Sequence, residues 1–227
     1  MSNFEPRSIK NFLPDELFEK VKKAVLEKNM GPNGNLFYHT VVGRWVTEIW
    51  FDEETEKELL ELARKEFGDN DIKRAGVHAA RYQIQNGIIP QLWKHYDQSA
   101  CQYSLDICID KNFDWQLAVD GKLFDEEPNS CVVFCGNDNM HWRPPYPTRD
   151  ENAYVTLLFM QFAKPDHWFF TEKDGFNKYG HFGDFRFREK MGYWSQPDTS
   201  DGRPICPCCD YRNVLQFEQR YQDGERH

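Results

Sequence analysis

The stretch WKHYDQSACQYSLDICI, residues 93–109, carries the two patterns that decide the fold. Its second half alternates polar and apolar side chains from Tyr103 to Ile109, which is the period of a half-buried β-strand. Its first half places His95 and Asp97 two residues apart. Because side chains at i and i+2 of a strand point to the same face, both can reach one metal ion. The stretch therefore predicts a strand preceded by two candidate metal ligands.

More strands are predicted towards the C-terminus. Residues 115–124 alternate in the same way and contain Asp120-Gly121, a turn signal typical of a β-hairpin. Residues 131–135 form a short apolar run that ends at a glycine, and residues 154–162 form the longest apolar run of the chain. Strands separated by short turns predict a barrel or a sandwich.

Two amphipathic helices are predicted before these strands, over residues 14–30 and about 52–67. Helices first and strands afterwards indicate a mainly β fold with flanking helices (α+β), packed on one side of the sheet. We expect all 227 residues to form one domain. Residues 1–74 would be its helical support, residues 75–163 its metal-binding core, and residues 164–227 a segment that wraps the core.

The composition excludes several classes of function. The formal net charge is −9 and the pI is about 5.3, and no basic stripe is present, so nucleic acid is not expected as a partner. No apolar run approaches the length of a membrane span, and the start of the chain lacks the pattern of a secretory signal. The seven cysteines are most simply interpreted as reduced thiols of a cytoplasmic protein. The oligomeric state is left open.

His141, which follows the predicted strand at 131–135, is the candidate for a third metal ligand. A meander of strands after Asp97 can return this histidine to the same edge of a barrel. Two imidazoles and one carboxylate leave about three positions open on an octahedral ion, which is the arrangement of non-haem Fe(II) oxygenases. We therefore expect His95, Asp97 and His141 to bind Fe(II).

Three segments in this order resemble the Fe(II)/2-oxoglutarate-dependent dioxygenases, in particular the small prolyl-hydroxylase-like group. The segments are IKNFLPDELFEKVKKAVLEK (9–28), AARYQIQNGIIPQLWKHYDQSACQYSLDICID (79–110) and NSCVVFCGNDNMHWRPPYP (129–147). The resemblance covers roughly residues 8–163 and implies a double-stranded β-helix (jelly-roll) core. It also implies Fe(II), 2-oxoglutarate as co-substrate and O2. The implied reaction hydroxylates an unactivated C–H bond and releases succinate and CO2; desaturation and cyclisation are variants within the family.

The resemblance further implies a basic residue at the start of the strand after the distal histidine, where it binds the far carboxylate of 2-oxoglutarate. This chain departs from that pattern, because residues 152–156 contain neither Lys nor Arg. A guanidinium suits the role, since it forks onto a carboxylate through two parallel hydrogen bonds. The co-substrate anchor is therefore expected at another position.

Several residues are candidates for binding the co-substrate. Arg143 and Arg149 rank equally, and Arg81, on an earlier strand, ranks behind them. Arg143 stands between a tryptophan and a proline, a crowded position in which a guanidinium needs an acidic partner. The hydroxyl groups of Tyr82 and Thr156 are further candidates.

Further residues are candidates for the pocket wall and for a second metal site. The candidates for lining the pocket are Gln91, Trp93, Tyr103, Trp115 and Trp142. The cluster Cys206-Pro207-Cys208-Cys209 lacks a second ligand pair, so free thiols are favoured there over zinc.

Two alternatives to an oxygenase remain open. A cupin-type hydrolase or isomerase could use the same three ligands for Zn(II) or Mn(II), although the helical opening and the block before His95 argue against it. A catalytically silent binding barrel is the second alternative, against which the intact triad argues. The substrate is expected to be an amino acid, a peptide residue or a small metabolite, and its identity is left open.

Overall fold

A computed structural model describes residues 4–34, 36, 38–40, 42–97 and 100–171. Within this part of the chain there are three helices and eleven strands. The helices are α1 (Asp15–Leu26), α2 (Glu53–Phe67) and α3 (Trp168–Thr171). The strands are β1 (Arg7–Ile9), β2 (Tyr38–His39), β3 (Arg44–Glu48), β4 (Lys73–Gln83), β5 (Leu92–His95), β6 (Tyr103–Lys111), β7 (Leu117–Val119), β8 (Lys122–Phe124), β9 (Cys131–Phe134), β10 (His141–Arg143) and β11 (Tyr154–Ala163).

The two helices predicted from the sequence are present as α1 and α2, and local signals fix the ends of α2. The side chain of Asp52 accepts a hydrogen bond from the backbone N–H of Thr55 (2.8 Å), which caps the first turn. Gly68 ends the helix in the left-handed conformation at φ 64°, which a residue without Cβ adopts without strain. Both helices bury one apolar face.

The strands form two antiparallel sheets. The major sheet has the order β1-β9-β6-β11-β4-β3-β2, and the minor sheet has the order β5-β10-β7-β8. The predicted hairpin at 115–124 is present as β7 and β8, with Val119 opposite Lys122. Strands that follow one another in the chain are repeatedly separated in the sheets, as in a jelly roll. The predicted mainly β architecture with flanking helices is confirmed.

The two faces of the major sheet have different neighbours. On β11, Leu158, Met160 and Phe162 belong to one buried cluster with the apolar faces of α1 and α2. Val155 and Leu157 belong to a second cluster, on the face that looks towards the minor sheet. Each large apolar side chain buried in this way contributes roughly 1.5–3 kcal/mol to folding. The helices thus seal one face of the sheet, and the other face lines the interior between the sheets.

Two predictions fall wholly or mostly beyond the described residues. The segment 164–227, expected to wrap the core, is described only to residue 171, and the Cys206–Cys209 cluster lies outside the described residues. Within the described part of the chain, no helix has the length and apolar character needed to cross a membrane.

Candidate metal centre

The three predicted metal ligands meet at one end of the minor sheet. His95 and His141 lie opposite each other in the pairing of β5 with β10. The Oδ1 atom of Asp97 is 3.5 Å from Nε2 of His141 and 3.8 Å from Nε2 of His95. One ligand atom from each residue lies within 4.8 Å of the other two, so a single ion between them can contact all three. The structure therefore brings together the residues that the sequence singles out.

The ring of His141 is oriented by its backbone neighbourhood. Its Nδ1 lies 3.0 Å from the carbonyl oxygen of Asn139, and because a carbonyl only accepts, Nδ1 carries the proton. Nε2 is then left with a lone pair for a metal ion. The side chain of Asn139 is fixed in turn, since its amide donates to Asp120 (2.7 Å) and its oxygen accepts from the N–H of Cys135 (2.7 Å). The tautomer required of a metal ligand is thus set by the fold.

Asp97 is seated against the backbone of Gly136. The N–H of Asp97 donates to the carbonyl of Gly136 (2.8 Å), and the hydroxyl of Ser104 lies 3.4 Å from its Oδ2. A Cβ atom on Gly136 would lie only 2.5 Å from Oδ2 of Asp97 and 2.6 Å from Oγ of Ser104. Such separations are too short for real contacts, so the carboxylate has its position only because residue 136 has no side chain.

We expect Gly136→Ala to weaken metal binding by about 10- to 100-fold, the usual size of effect when the support of a metal ligand is disturbed. The added methyl group would displace the Asp97 carboxylate from the two histidines. Titration of Fe(II) or Ni(II) against a chelating indicator would measure the change. Gly31→Ala is the matched control, because its Cβ would meet no atom closer than 4.0 Å. Equal metal affinities in the two variants would contradict this account of Gly136.

The triad opens onto a cavity of about 230 Å³ between the two sheets. Besides the triad, its walls include Arg44, His78, Tyr82 and Phe159. His78 stacks on the ring of Phe159 at 5.0 Å between centroids. Burial lowers the pKa of His78 to about 4, with a further contribution from the charge of Arg44, while Asp97 opposes the shift. The imidazole of His78 is therefore neutral at physiological pH.

No protein-family model matches the chain, and no curated protein matches its sequence. Solved structures do match. A prolyl hydroxylase from Trichoplax adhaerens, in complex with a hypoxia inducible factor peptide fragment, has a TM-score of 0.52 at 17% identity, covering 74% of this chain and 86% of that one. A Pseudomonas putida prolyl-4-hydroxylase has a TM-score of 0.50 at 16% identity, covering 71% and 94%. SnoN, a non-heme alpha ketoglutarate dependent epimerase from nogalamycin biosynthesis, has a TM-score of 0.53 at 7% identity, covering 70% of this chain and 78% of that one. This chain has the jelly-roll fold of the 2-oxoglutarate-dependent oxygenases.

Within this jelly-roll fold, Arg143 is fully buried and already paired. Its guanidinium lies 3.3 Å from Oδ2 of Asp106 and 2.6 Å from Oε2 of Glu126. It also donates to the carbonyl of Trp115 (2.7 Å). Arg143 thus has two acidic partners, where the sequence led us to expect one. If 2-oxoglutarate also bound there, three carboxyl groups would surround one guanidinium, so Arg143 is a poor anchor for the co-substrate.

The other predicted anchors lie away from the cavity, with one exception. Arg81 and Thr156 are joined by a hydrogen bond from Nε to Oγ1 (2.8 Å) on the sheet face opposite to that of Tyr82. Arg149 is exposed in the loop before β11. Tyr82 is fully buried, and it is the one member of the predicted co-substrate set that borders the cavity.

The aromatic residues proposed to line the pocket have other surroundings. Tyr103 donates its hydroxyl to Asp69 (2.8 Å), and Trp115 donates its indole N–H to the carbonyl of Pro144 (2.8 Å). Trp142 lies beneath the ammonium group of Lys94, at 5.2 Å. These three residues and Gln91 are absent from the described cavity wall, and the side chain of Trp93 lies outside the described residues.

Arg44 is a charged residue of the cavity wall that the sequence does not indicate. It lies on β3, a strand that was not predicted, and its side chain enters the cavity beside Tyr82. The available signal is weak, because residues 44–48 (RWVTE) do not alternate, and only the aromatic and β-branched residues at 45–47 favour a strand. The run is only five residues long and lies between two helices, so it does not indicate a strand by itself.

Proposed function

We propose that the protein is an Fe(II)- and 2-oxoglutarate-dependent oxygenase that hydroxylates an unactivated C–H bond. The observation that carries this proposal is the convergence of His95, Asp97 and His141 on an open cavity within the jelly-roll fold. The balanced reaction is R–H + O2 + 2-oxoglutarate → R–OH + succinate + CO2. Each O2 supplies one oxygen atom to the product and one to succinate.

The donor set fits Fe(II). Two neutral imidazoles and one carboxylate bind the ion on one side and leave about three positions open towards the cavity. Bound there, the ion with its co-substrate would supply the oxidising chemistry. The residues of this chain would hold the ion in place, and the backbone carbonyl of Asn139 would fix the tautomer of His141. The carboxylate of Asp97 also offsets one of the two charges of the ion.

The proposal extends to the substrate and to the compartment. We propose an amino acid, a peptide residue or a small metabolite as the substrate, and the peptide complex of the Trichoplax adhaerens hydroxylase supports this range. We also propose a cytoplasmic location, because the cysteines of the chain are most simply interpreted as reduced thiols, and Cys108 and Cys131 are free thiols within the described chain. Both are buried, Cys108 on β6 and Cys131 on β9.

An anaerobic titration tests the proposed function. Fe(II) and 2-oxoglutarate added together to the protein should give the visible charge-transfer absorption of the chelate, and neither should give it alone. Admission of O2 with candidate substrates should then release succinate. Absence of the absorption, or turnover with Zn(II) or Mn(II) in the absence of 2-oxoglutarate, would reject the oxygenase assignment in favour of a hydrolase or an isomerase.

A further inference from the structure

Arg44 faces the triad cavity from β3. Three strands place one row of residues side by side, because Tyr82 on β4 lies opposite Val155 on β11 and opposite Arg44 on β3. The Nη1 atom of Arg44 donates to the hydroxyl of Tyr82 (2.6 Å). Its guanidinium carbon lies 5.3 Å from the centre of the Tyr82 ring and 6.0 Å from that of Phe159. The side chain is thus held by two aromatic rings at the cavity wall.

The charge of Arg44 is not neutralised by the described protein. No carboxylate oxygen of the described residues lies within ion-pair distance of its guanidinium, and its buried Nε has no hydrogen-bond partner. Among the described residues that line the cavity, Arg44 is also the one Lys or Arg. A partly buried cation without a counter-charge is costly, and an anionic ligand would relieve that cost. The cavity is therefore lined by candidate metal ligands from the minor sheet and the segment after it, and by a cation from the major sheet.

We propose that Arg44 binds the far carboxylate of 2-oxoglutarate, with the hydroxyl of Tyr82 as a second donor. This inference rests on the proposed function. The Tyr82 oxygen accepts from Arg44, so its own hydrogen remains available for a carboxylate oxygen. The anchor that the resemblance implies on the strand after His141 is replaced here by an arginine two strands away in the same cross-strand row.

The cross-strand row of Val155, Tyr82 and Arg44 explains how an arginine on β3 can take the place of an anchor on β11. Val155 lies at the start of β11 and is apolar and buried, so this part of the strand offers the carboxylate no polar partner. Arg44 reaches the same region because its side chain crosses Tyr82, the residue that separates it from Val155. Arg143 does not compete for the ligand, since Asp106 and Glu126 already surround it with two carboxylates.

The test compares two 2-oxo acids that differ in the far carboxylate. The anaerobic Fe(II) protein is titrated with 2-oxoglutarate and with 2-oxobutyrate, which keeps the chelating end and lacks the second carboxylate. The wild type should bind 2-oxoglutarate about 10- to 100-fold more tightly, as expected for charge-assisted hydrogen bonds. Arg44→Gln should lose this preference, because its affinity for 2-oxoglutarate should fall while its affinity for 2-oxobutyrate stays unchanged. Arg44→Lys should fall between the two, because it retains the charge without the fork.

Controls separate this role from a structural one. Arg64→Gln removes an arginine paired with Glu61 on α2 and should leave both affinities unchanged. The affinity of Arg44→Gln for Ni(II) alone should equal that of the wild type, because Arg44 is not a metal ligand. Tyr82→Phe should weaken 2-oxoglutarate by about 3- to 10-fold, the effect of one hydrogen bond.

The outcomes of this test are distinct from those for the proposed function. An unchanged affinity of Arg44→Gln for 2-oxoglutarate would overturn the assignment, and so would an equal loss for both 2-oxo acids. If Arg44→Gln does not fold, an affinity of Arg44→Lys for 2-oxoglutarate equal to that of the wild type overturns it as well. A wild type that binds neither 2-oxo acid with Fe(II) would instead remove the proposed function on which the inference rests.

Discussion

Replacing His141 with alanine should lower the Fe(II) affinity by about 100-fold or more and abolish succinate release. Loss of a supporting contact around a metal site already costs about 10- to 100-fold, and the loss of a ligand itself costs more. His141 is one of the two histidines in the candidate triad of the described residues, and its buried ring is oriented by Asn139 with Nε2 available for a metal ion. Competition of the protein with a chelating indicator for Fe(II) would measure the affinity.

His167→Ala is the matched control for this substitution. His167 accepts a hydrogen bond from the N–H of Phe169 (3.2 Å) near α3 and does not border the described cavity. We expect this variant to bind Fe(II) as the wild type does. Circular dichroism should show that both variants remain folded. A folded His141→Ala protein with wild-type affinity for Fe(II) would place the metal elsewhere or remove it from the mechanism.

The elements predicted from the sequence are those with local signals. α2 was predicted with nearly its observed bounds because Asp52 and Gly68 mark its ends within the chain itself. β6 and β11 were predicted because each is long enough to show its alternation. β3 was not predicted, since its five residues are held by pairing with β4, and Arg44 meets Tyr82 only across the sheet. Short strands stabilised by distant partners leave little trace in the sequence.

The site divides in the same way. The spacing of His95 and Asp97 is a local pattern, and His141 could be sought after the next apolar strand. The choice among the arginines could not be made from the sequence, because it depends on the charges that surround each one in space. Arg143 has two acidic partners from distant parts of the chain, whereas Arg44 has none among the described residues. The position of Arg143 after His141 therefore made it a candidate anchor in the sequence, whereas Arg44 was not a candidate.

Arg143 is the centre of a buried charge cluster next to the cavity, whose wall includes Asp106. Its side chain is 0% exposed, and those of Asp106 and Glu126 are 3% and 1% exposed. Burial and the charge of Glu126 raise the pKa of Asp106 well above its ordinary value, while Arg143 opposes the shift. Burial alone would lower the pKa of Arg143, but the charges of Glu126 and Asp106 raise it. The guanidinium therefore stays charged and offsets the two acids.

Arg143→Met should lower the free energy of unfolding by about 3–5 kcal/mol, because it leaves two carboxyl groups buried without a cation. The loss, measured by urea denaturation, should be larger at about pH 8 than at about pH 5. Without Arg143 the pKa of folded Asp106 rises further above its unfolded value, and stability then falls as pH rises between those two values. Arg74→Met is the matched control, since its pair with Glu56 is partly exposed and contributes about 0–1 kcal/mol. Equal losses of stability in the two variants would show that the buried carboxyl groups do not depend on Arg143. The pairing of Arg143 with Asp106 and Glu126 would then no longer explain why Arg44, and not Arg143, binds the co-substrate.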